Sequence, residues 1–336
     1  MTKSKIEWTD VVWNPTVGCS RVSEGCRNCY AERFARRLVA MGRPEYQGLL
    51  TDNGRWNGMV RCLPERLYEP LRLKKPSRIF VDSMSDLFHE NMPYEFLKNV
   101  WTVMTSAEHH KFLVLTKRPN WMKEKVDLLL RDGFGVLKNV WLGVSIENQQ
   151  AADERIPLLL ETPAAVRFVS CEPLLGPVKL HDLKYGYGWH WDSLAGFQWK
   201  DYYLDHQAGT ARLDWVICGG ESGPGARPMH PDWARSLRDQ CQDAGVPFFF
   251  KQWGEWLPVA EQYGNDDFMD KIDFGKHCIC LGNRGTKFME EWGDREEYWC
   301  GYQPDPGQNP WFMERVGKKA AGRELDGRTW EEYPDG

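Results

Sequence analysis

No run in this chain approaches the roughly eighteen consecutive apolar residues of a membrane-spanning helix, so the sequence predicts no membrane partner. Nothing near its start reads as a positively charged segment followed by an apolar core, so no secretory signal is expected and the cytoplasm is the expected compartment. There the ten cysteines are expected as thiols or metal ligands rather than disulfides. A strong excess of one charge is also missing. A net charge of −5 over 336 residues excludes a whole-surface nucleic-acid footprint and leaves only a local basic patch open. What is present is a globular composition, 42% hydrophobic and 27% charged, in a chain long enough for one large domain or two modest ones. Seventeen tryptophans are expected mainly in the core, with some open to a role as base-stacking platforms.

One more absence is local. Cys19, Cys26 and Cys29 lie within eleven residues near the N-terminus, and no fourth cysteine stands nearby. So short a spacing lets one compact loop turn three thiolates toward a common point, and Gly18 and Gly25 before two of them ease the turns. Clustered soft thiolates suit an iron–sulfur cluster or zinc. A structural zinc site usually takes four protein ligands. A cubane held by three cysteines leaves one iron open to another ligand.

Beyond this loop, apolar β-branched runs alternate with helical patterns. Strands are expected at Val11–Asn14, Arg78–Asp82, Lys111–Thr116, Val140–Ser145, Val166–Cys171, Asp214–Cys218 and Pro247–Phe250. Helices are expected at Ala31–Met41, with Phe34, Leu38 and Met41 on one face, and at Tyr94–Ala107, Trp121–Arg131, Gln149–Leu160 and Pro231–Ala244. Alternation of this kind argues parallel βαβ units whose strands are covered on both faces. Seven such strands predict an α/β fold, a parallel (β/α) barrel, complete or partial. A doubly wound open sheet is the alternative.

Polar residues gather just after these strands: Asp82, Ser83 and Asp86; Thr116, Lys117 and Arg118; Ser145, Glu147 and Asn148; Glu172; Glu221 and Ser222; Lys251 and Gln252. In a parallel barrel those ends share one rim, where active sites are built. The cysteine loop follows the first strand and is expected on the same rim. Lys117 and Arg118 suit either a phosphate or structural ion pairs.

The expected domain is 1–255, interrupted near 42–77 and by a Tyr-, Trp- and Gly-rich segment near 184–213 that reads as a rim lid or a surface insertion. An aromatic-rich extension, 256–336, follows. His277, Cys278, Cys280 and Cys300 within it leave a second metal site open, and the basic run from Arg315 to Arg328 reads as a solvated face or a phosphate patch.

The stretch Asn14-Pro15-Thr16-Val17-Gly18-Cys19, continued by Cys26-Arg27-Asn28-Cys29-Tyr30-Ala31-Glu32-Arg33, resembles the cluster loop of radical S-adenosylmethionine enzymes of the spore photoproduct lyase branch. The resemblance extends to Phe80–Glu90, Leu115–Pro119, Gly143–Glu147 and Ser170–Pro173. The chain to about Trp256 is also similar to a phage-associated family of unknown function with a three-cysteine motif, where Gly219–Pro228 and Phe249–Gly254 match as well. The superfamily places three residues between its first two cysteines, where this chain has six. Its aromatic residue precedes the third cysteine, where this chain has Asn28, with Tyr30 after.

The resemblance implies a [4Fe-4S] cluster on Cys19, Cys26 and Cys29, with S-adenosylmethionine at the open iron. An electron from the cluster would cleave that cofactor to an adenosyl radical. The adenosine end is expected over Ser145, Glu147 and Glu172, and the methionyl end near Ser83 and Asp86. Gly219-Gly220-Glu221 resembles the tripeptide that meets the methionyl amine in the superfamily but follows a later strand, so that role is not carried over. Expected partners are an electron donor such as flavodoxin or ferredoxin and an unidentified substrate, with nucleic acid or nucleotide suggested by the lyase branch. A lyase- or transferase-like enzyme is the first reading. Zinc-dependent interaction or nucleic-acid binding without radical chemistry is the second. A Cys26–Cys29 redox dithiol is the third, in which Cys19 has no part.

Overall fold

The computed structural model describes residues 1–186, 188–200, 203–208, 210–261, 278–281 and 311–335. His277 and Cys300 lie outside the described residues; Cys278 and Cys280 fall on a short strand, Cys278–Leu281. Eight strands form one sheet: β1 (Thr2–Lys3), β2 (Val11–Trp13), β3 (Arg78–Val81), β4 (Lys111–Thr116), β5 (Val140–Ser145), β6 (Val166–Cys171), β7 (Trp215–Gly219) and β8 (Phe248–Gln252). Their spatial order is their chain order. Every pair from β2 to β8 is parallel, and β1 alone runs antiparallel, against β2. This order has no reversal point, which a doubly wound sheet requires. Among the described residues no ladder joins the β1 edge to β8, so the sheet is open.

Side chains alternate across each strand. Ile79, Val81, Phe112, Val114, Leu142 and Val216 face the layer formed by α2 (Tyr94–Ser106), α3 (Pro119–Arg131), α4 (Gln149–Glu161) and α5 (Pro231–Ala244). Phe80, Leu113, Trp141, Phe168, Trp215 and Phe249 face the other way, into a second core with Trp8. Trp8 reveals the curvature of the sheet. Its ring lies 4.9 Å from Phe80 of β3 and 6.1 Å from Trp215 of β7. In a flat sheet those strands would stand about 19 Å apart, at ~4.8 Å per strand step. One indole touches both only because the sheet curls around it.

The tail closes the same hollow from the other side. Its backbone pairs with β8 through Phe250 N–H to Trp330 O (3.0 Å) and Glu332 N–H to Phe248 O (3.2 Å). Tyr333 meets Phe249 edge to face, and the Arg78 guanidinium lies over its ring, 4.3 Å from the centroid. The end of the 256–336 extension thus packs into the main core. Two of its basic residues are engaged there, Arg328 over Trp330 at 3.9 Å and Arg323 paired with Glu331, while Arg315, Lys318 and Lys319 are exposed.

The expected helix after the cysteine loop is present as α1 (Tyr30–Ala40), but its buried face differs from the expected one. Phe34 is 48% and Met41 73% exposed, whereas Ala31, Glu32 and Ala35 are buried. The small alanines allow close approach to Leu49 and Trp56 of the irregular segment after α1. Glu32 is drawn inside because its carboxylate accepts from Arg21, Arg36 and the Trp56 amide. The segment after α1 is therefore the bed on which α1 and the cysteine loop rest.

The 184–213 insertion is a four-stranded antiparallel sheet, Leu183–Tyr185, Trp189–Asp192, Phe197–Lys200 and Tyr203–Ala208. It docks on the helical layer through buried Leu183 and Trp191, and the Lys184 amide donates to Asp153 of α4. Its contacts are those of a surface insertion on α4.

Candidate metal and cofactor site

The loop between β2 and α1 leaves the sheet at Asn14, whose side-chain oxygen accepts from the Ser83 hydroxyl and the Met84 amide after β3. Thr16 then bonds Asp82 twice, through its amide (3.1 Å) and its hydroxyl (2.8 Å). Gly18 donates its amide to Met84 O and accepts at its carbonyl from Ser85 Oγ. Its φ of +100° and the Met59 carbonyl oxygen, 2.2 Å from where a Cβ would sit, explain why glycine stands here. Farther along, a Cβ on Gly25 would stand 3.0 Å from Glu147 Oε2. Asn28 Nδ2 donates to Glu221 Oε2 (2.9 Å) and to Gly225 O (2.7 Å) beyond β7. Arg33 on α1 donates to Ser222 O. The loop thus crosses the rim from β3 to β7, which puts all three cysteines over the C-terminal ends of the strands.

Cys19, Cys26 and Cys29 are free thiols of intermediate burial. Burial and then the nearby Asp86 charge push the Cys19 thiol up to about 12, against the pull of Arg118, and burial raises Cys29. Cys29 caps the N-terminus of α1. Among the described residues no three His, Cys, Asp or Glu groups stand in ready coordination geometry. Neutral thiols have no electrostatic reason to converge, since metal binding itself removes their protons. The donor set fits a metal group all the same: three soft sulfurs on one loop, with Arg118 beside Cys19 and Lys117 near Cys29 to offset thiolate charge.

The polar strand ends form one continuous belt. Thr116 Oγ1 donates to Asp86 (2.8 Å), Lys117 Nζ to Ser145 Oγ (2.7 Å), and Ser145 Oγ to Glu172 O (3.1 Å). Lys251 pairs with Glu172 at 2.8 Å. Two carboxylates expected at the ligand are held by arginines. Asp86 accepts from Arg118 (3.0 Å) as well as Thr116 and the Phe88 amide. Glu147 accepts from Arg155 (2.9 and 3.3 Å). Ser83, half-buried, lies under the Tyr30 hydroxyl, which donates to its carbonyl at 2.6 Å. Burial opposes ionisation of Glu221, but hydrogen bonds from Arg227 and Asn28 outweigh it and hold the carboxyl below its usual range.

The Gly-Gly-Glu tripeptide has a packing role. A Cβ on Gly220 would lie 1.9 Å from Trp253 O, and one on Gly254 2.1 Å from Glu221 O, so the loops after β7 and β8 cross backbone to backbone. Sequence reasoning placed Asp82 on the rim but not its bonds to Thr16, and it missed Arg155 and Glu32 entirely. A buried carboxylate within a helix, as at Glu32, carries no local sequence signal. Arg118 was open to two readings; its partners Asp86 and Glu90 show the ion pairs.

Among the described residues no helix is long and apolar enough to cross a membrane. No curated protein and no solved structure matches the chain. A family described as "Protein of unknown function (DUF5131)" matches residues 3–334, almost the whole length, and the chain belongs to that family.

Proposed function

We propose that this chain is a radical S-adenosylmethionine enzyme built on a partial (β/α) barrel, with Cys19, Cys26 and Cys29 as the ligands of a [4Fe-4S] cluster. The observation that carries the reading is the placement of three free thiols on one loop laid over the C-terminal strand ends, where parallel α/β folds keep their chemistry. The curl of the sheet around Trp8 supports the partial barrel. When bound, such a cluster supplies one-electron chemistry and an open iron for a chelating cofactor.

The protein's own groups would bind and orient. Ser83, Ser145 and Glu172, at or just past the ends of β3, β5 and β6, would stand nearest the cofactor, Ser145 and Glu172 acting together with Lys117 and Lys251. Asp86 and Glu147 act one step back, through Arg118 and Arg155. Trp8, Trp141 and Phe168 fill the hollow beneath the rim and keep water from its floor. A small acidic redox protein, flavodoxin or ferredoxin, would deliver the electron, and the substrate class is nucleic acid or nucleotide.

Anaerobic reconstitution tests this. The expected product is brown, with roughly four irons per chain. S-adenosylmethionine should perturb the electron paramagnetic resonance signal of the reduced protein, and dithionite should slowly release 5′-deoxyadenosine. A colourless protein holding zinc would favour interaction or nucleic-acid binding without radical chemistry. An iron-replete protein that ignores S-adenosylmethionine would sink the radical reading and leave the cluster structural.

A further inference from the structure

Arg118 does more than close an ion pair. It opens α3 at the end of β4, yet its guanidinium reaches into the cysteine loop. Nη1 lies 3.7 Å from Cys19 Sγ and 3.0 Å from Asp86 Oδ2. Nη2 donates to Ser20 O (3.0 Å) and Ser20 Oγ (2.6 Å), and Nε to Glu90 Oε2 (2.7 Å). Ser20 is the second node. Its hydroxyl accepts from Arg118, stands 2.9 Å from His89 Nε2 and donates to Glu90 Oε1 at 3.2 Å. The Asn91 amide donates to His89 Nδ1, which leaves the ring proton on Nε2, facing Ser20. Burial and then the Arg118 charge lower the His89 pKa, which favours the neutral ring.

These contacts join segments that are distant in sequence. Asp86, His89 and Glu90 follow β3, Arg118 follows β4, and Ser20 is the residue next to Cys19. A solvated ion pair needs none of this organisation. Here Asp86, Glu90 and Ser20, the last itself bonded to His89, hold one planar cation with its remaining N–H directed at a single sulfur. A guanidinium presents its donors in a fixed fork, so it directs charge as a lysine does not.

We infer that Arg118 is the positioning residue for Cys19: held by Asp86, Glu90 and Ser20, it fixes the sulfur's orientation and offsets its negative charge once the thiolate is a metal ligand. This rests on the three cysteines forming a metal site and goes beyond it by assigning unequal roles within the trio. Cys19 is the ligand that this hydrogen-bonded network grips. Outer partners that orient a ligand commonly contribute about ten- to a hundredfold to metal affinity.

The test compares the full-length wild type with Arg118→Lys, Arg118→Gln and Ser20→Ala. Each is reconstituted anaerobically with iron and sulfide and then challenged with a chelator. Reduction potentials are read by electron paramagnetic resonance titration. Arg118→Gln should lose metal about ten- to a hundredfold more readily and shift the potential negative, because charge near the sulfur is gone. Arg118→Lys should restore the potential in part but not the metal retention, since it returns charge without the fork. Ser20→Ala buries no unpaired charge, so it should fold even if Arg118→Gln does not, and it should lose metal to a lesser degree. Wild-type retention and potential in Ser20→Ala together with Arg118→Lys would overturn the inference while leaving the metal site standing. If the wild type holds zinc, the same retention series is run with zinc: the radical reading then fails and the positioning role is judged on its own. A wild type that binds neither metal overturns both.

Discussion

Asp82 and Thr16 meet beneath the cysteine loop, the Thr16 amide 3.1 Å from one carboxyl oxygen and its hydroxyl 2.8 Å from the other. Among the described residues no Lys, Arg or His pairs with Asp82. Burial pushes Asp82 up to about 8, against the pull of the two Thr16 bonds, from an ordinary 3.8. At neutral pH the folded chain therefore holds a proton there that the unfolded chain has released.

The sign of the pH dependence follows by linkage. The native state binds the extra proton, so this contribution is complete below about pH 4 and is lost as pH rises through about 8. Asp82→Asn keeps the shape and removes the titration. Thermal unfolding should show wild type losing stability relative to Asp82→Asn as the pH is raised from about 6 to about 9. Parallel melting curves across that window would refute the assignment.

Replacing Cys19, Cys26 or Cys29 by Ala should each abolish stable iron binding, because each would remove the only protein ligand of one iron. Cys171, Cys218 and Cys241 are fully buried among apolar residues, and alanine there should cost stability without loss of iron. Iron analysis beside a melting curve separates the two classes. Full iron in all three loop variants would end the cluster assignment.

Gly220→Ala and Gly254→Ala force a Cβ into a backbone carbonyl on the opposite loop, and Gly254 also has a φ of +88°. Gly133, with φ +93° and open space around its missing Cβ, isolates the conformational term. Chemical denaturation should show about 1 kcal/mol lost for Gly133→Ala and distinctly more for the other two. Equal losses would mean that the loop crossing is looser than described.

Trp8→Ala should cost about 3–5 kcal/mol, the range for removing a large buried aromatic. The loss should also loosen the curl that lets β3 and β7 share one ring. Faster hydrogen exchange in both strands, rather than in β1 and β2 alone, is the expected readout.

Glu32→Gln keeps the volume but weakens the bonds that tie α1 to the cysteine loop through Arg21 and to its bed through the Trp56 amide, and the Arg36 bond within the helix. Because Arg21 and Arg36 are partly exposed, the expected loss is about 1–3 kcal/mol rather than that of a fully buried pair. Proteolysis near 50–60 should accelerate. Unchanged proteolysis would place the anchor of α1 elsewhere.

Most of the β/α repeat was legible because buried parallel strands write themselves as short apolar runs. Lys111–Thr116, Val140–Ser145 and Val166–Cys171 have the expected bounds. The two-residue β1 was not legible, since Thr2 and Lys3 carry no apolar pattern and exist as a strand only by pairing with β2. The face of α1 was misread for a related reason. Periodicity selects Phe34, Leu38 and Met41 as the inner stripe; Leu38 does pack inward, but Phe34 and Met41 are exposed and an anionic side chain with three donors takes their place.

By itself the sequence determined the spacing of the three cysteines, the alternation of strands and helices and the gathering of polar residues after the strands. These are local features, set by a period of two or by a few residues of turn. Only the tertiary structure decided the spatial order of the strands and which rim groups are spent on a neighbour. Asp86 meets Arg118 across two strand ends, and Asn28 meets Glu221 from 193 residues away. Such partners are chosen by strand adjacency and by how far the sheet curls. The physical reason is that a charge pairs with what lies within a few ångströms, and chain order does not record that distance.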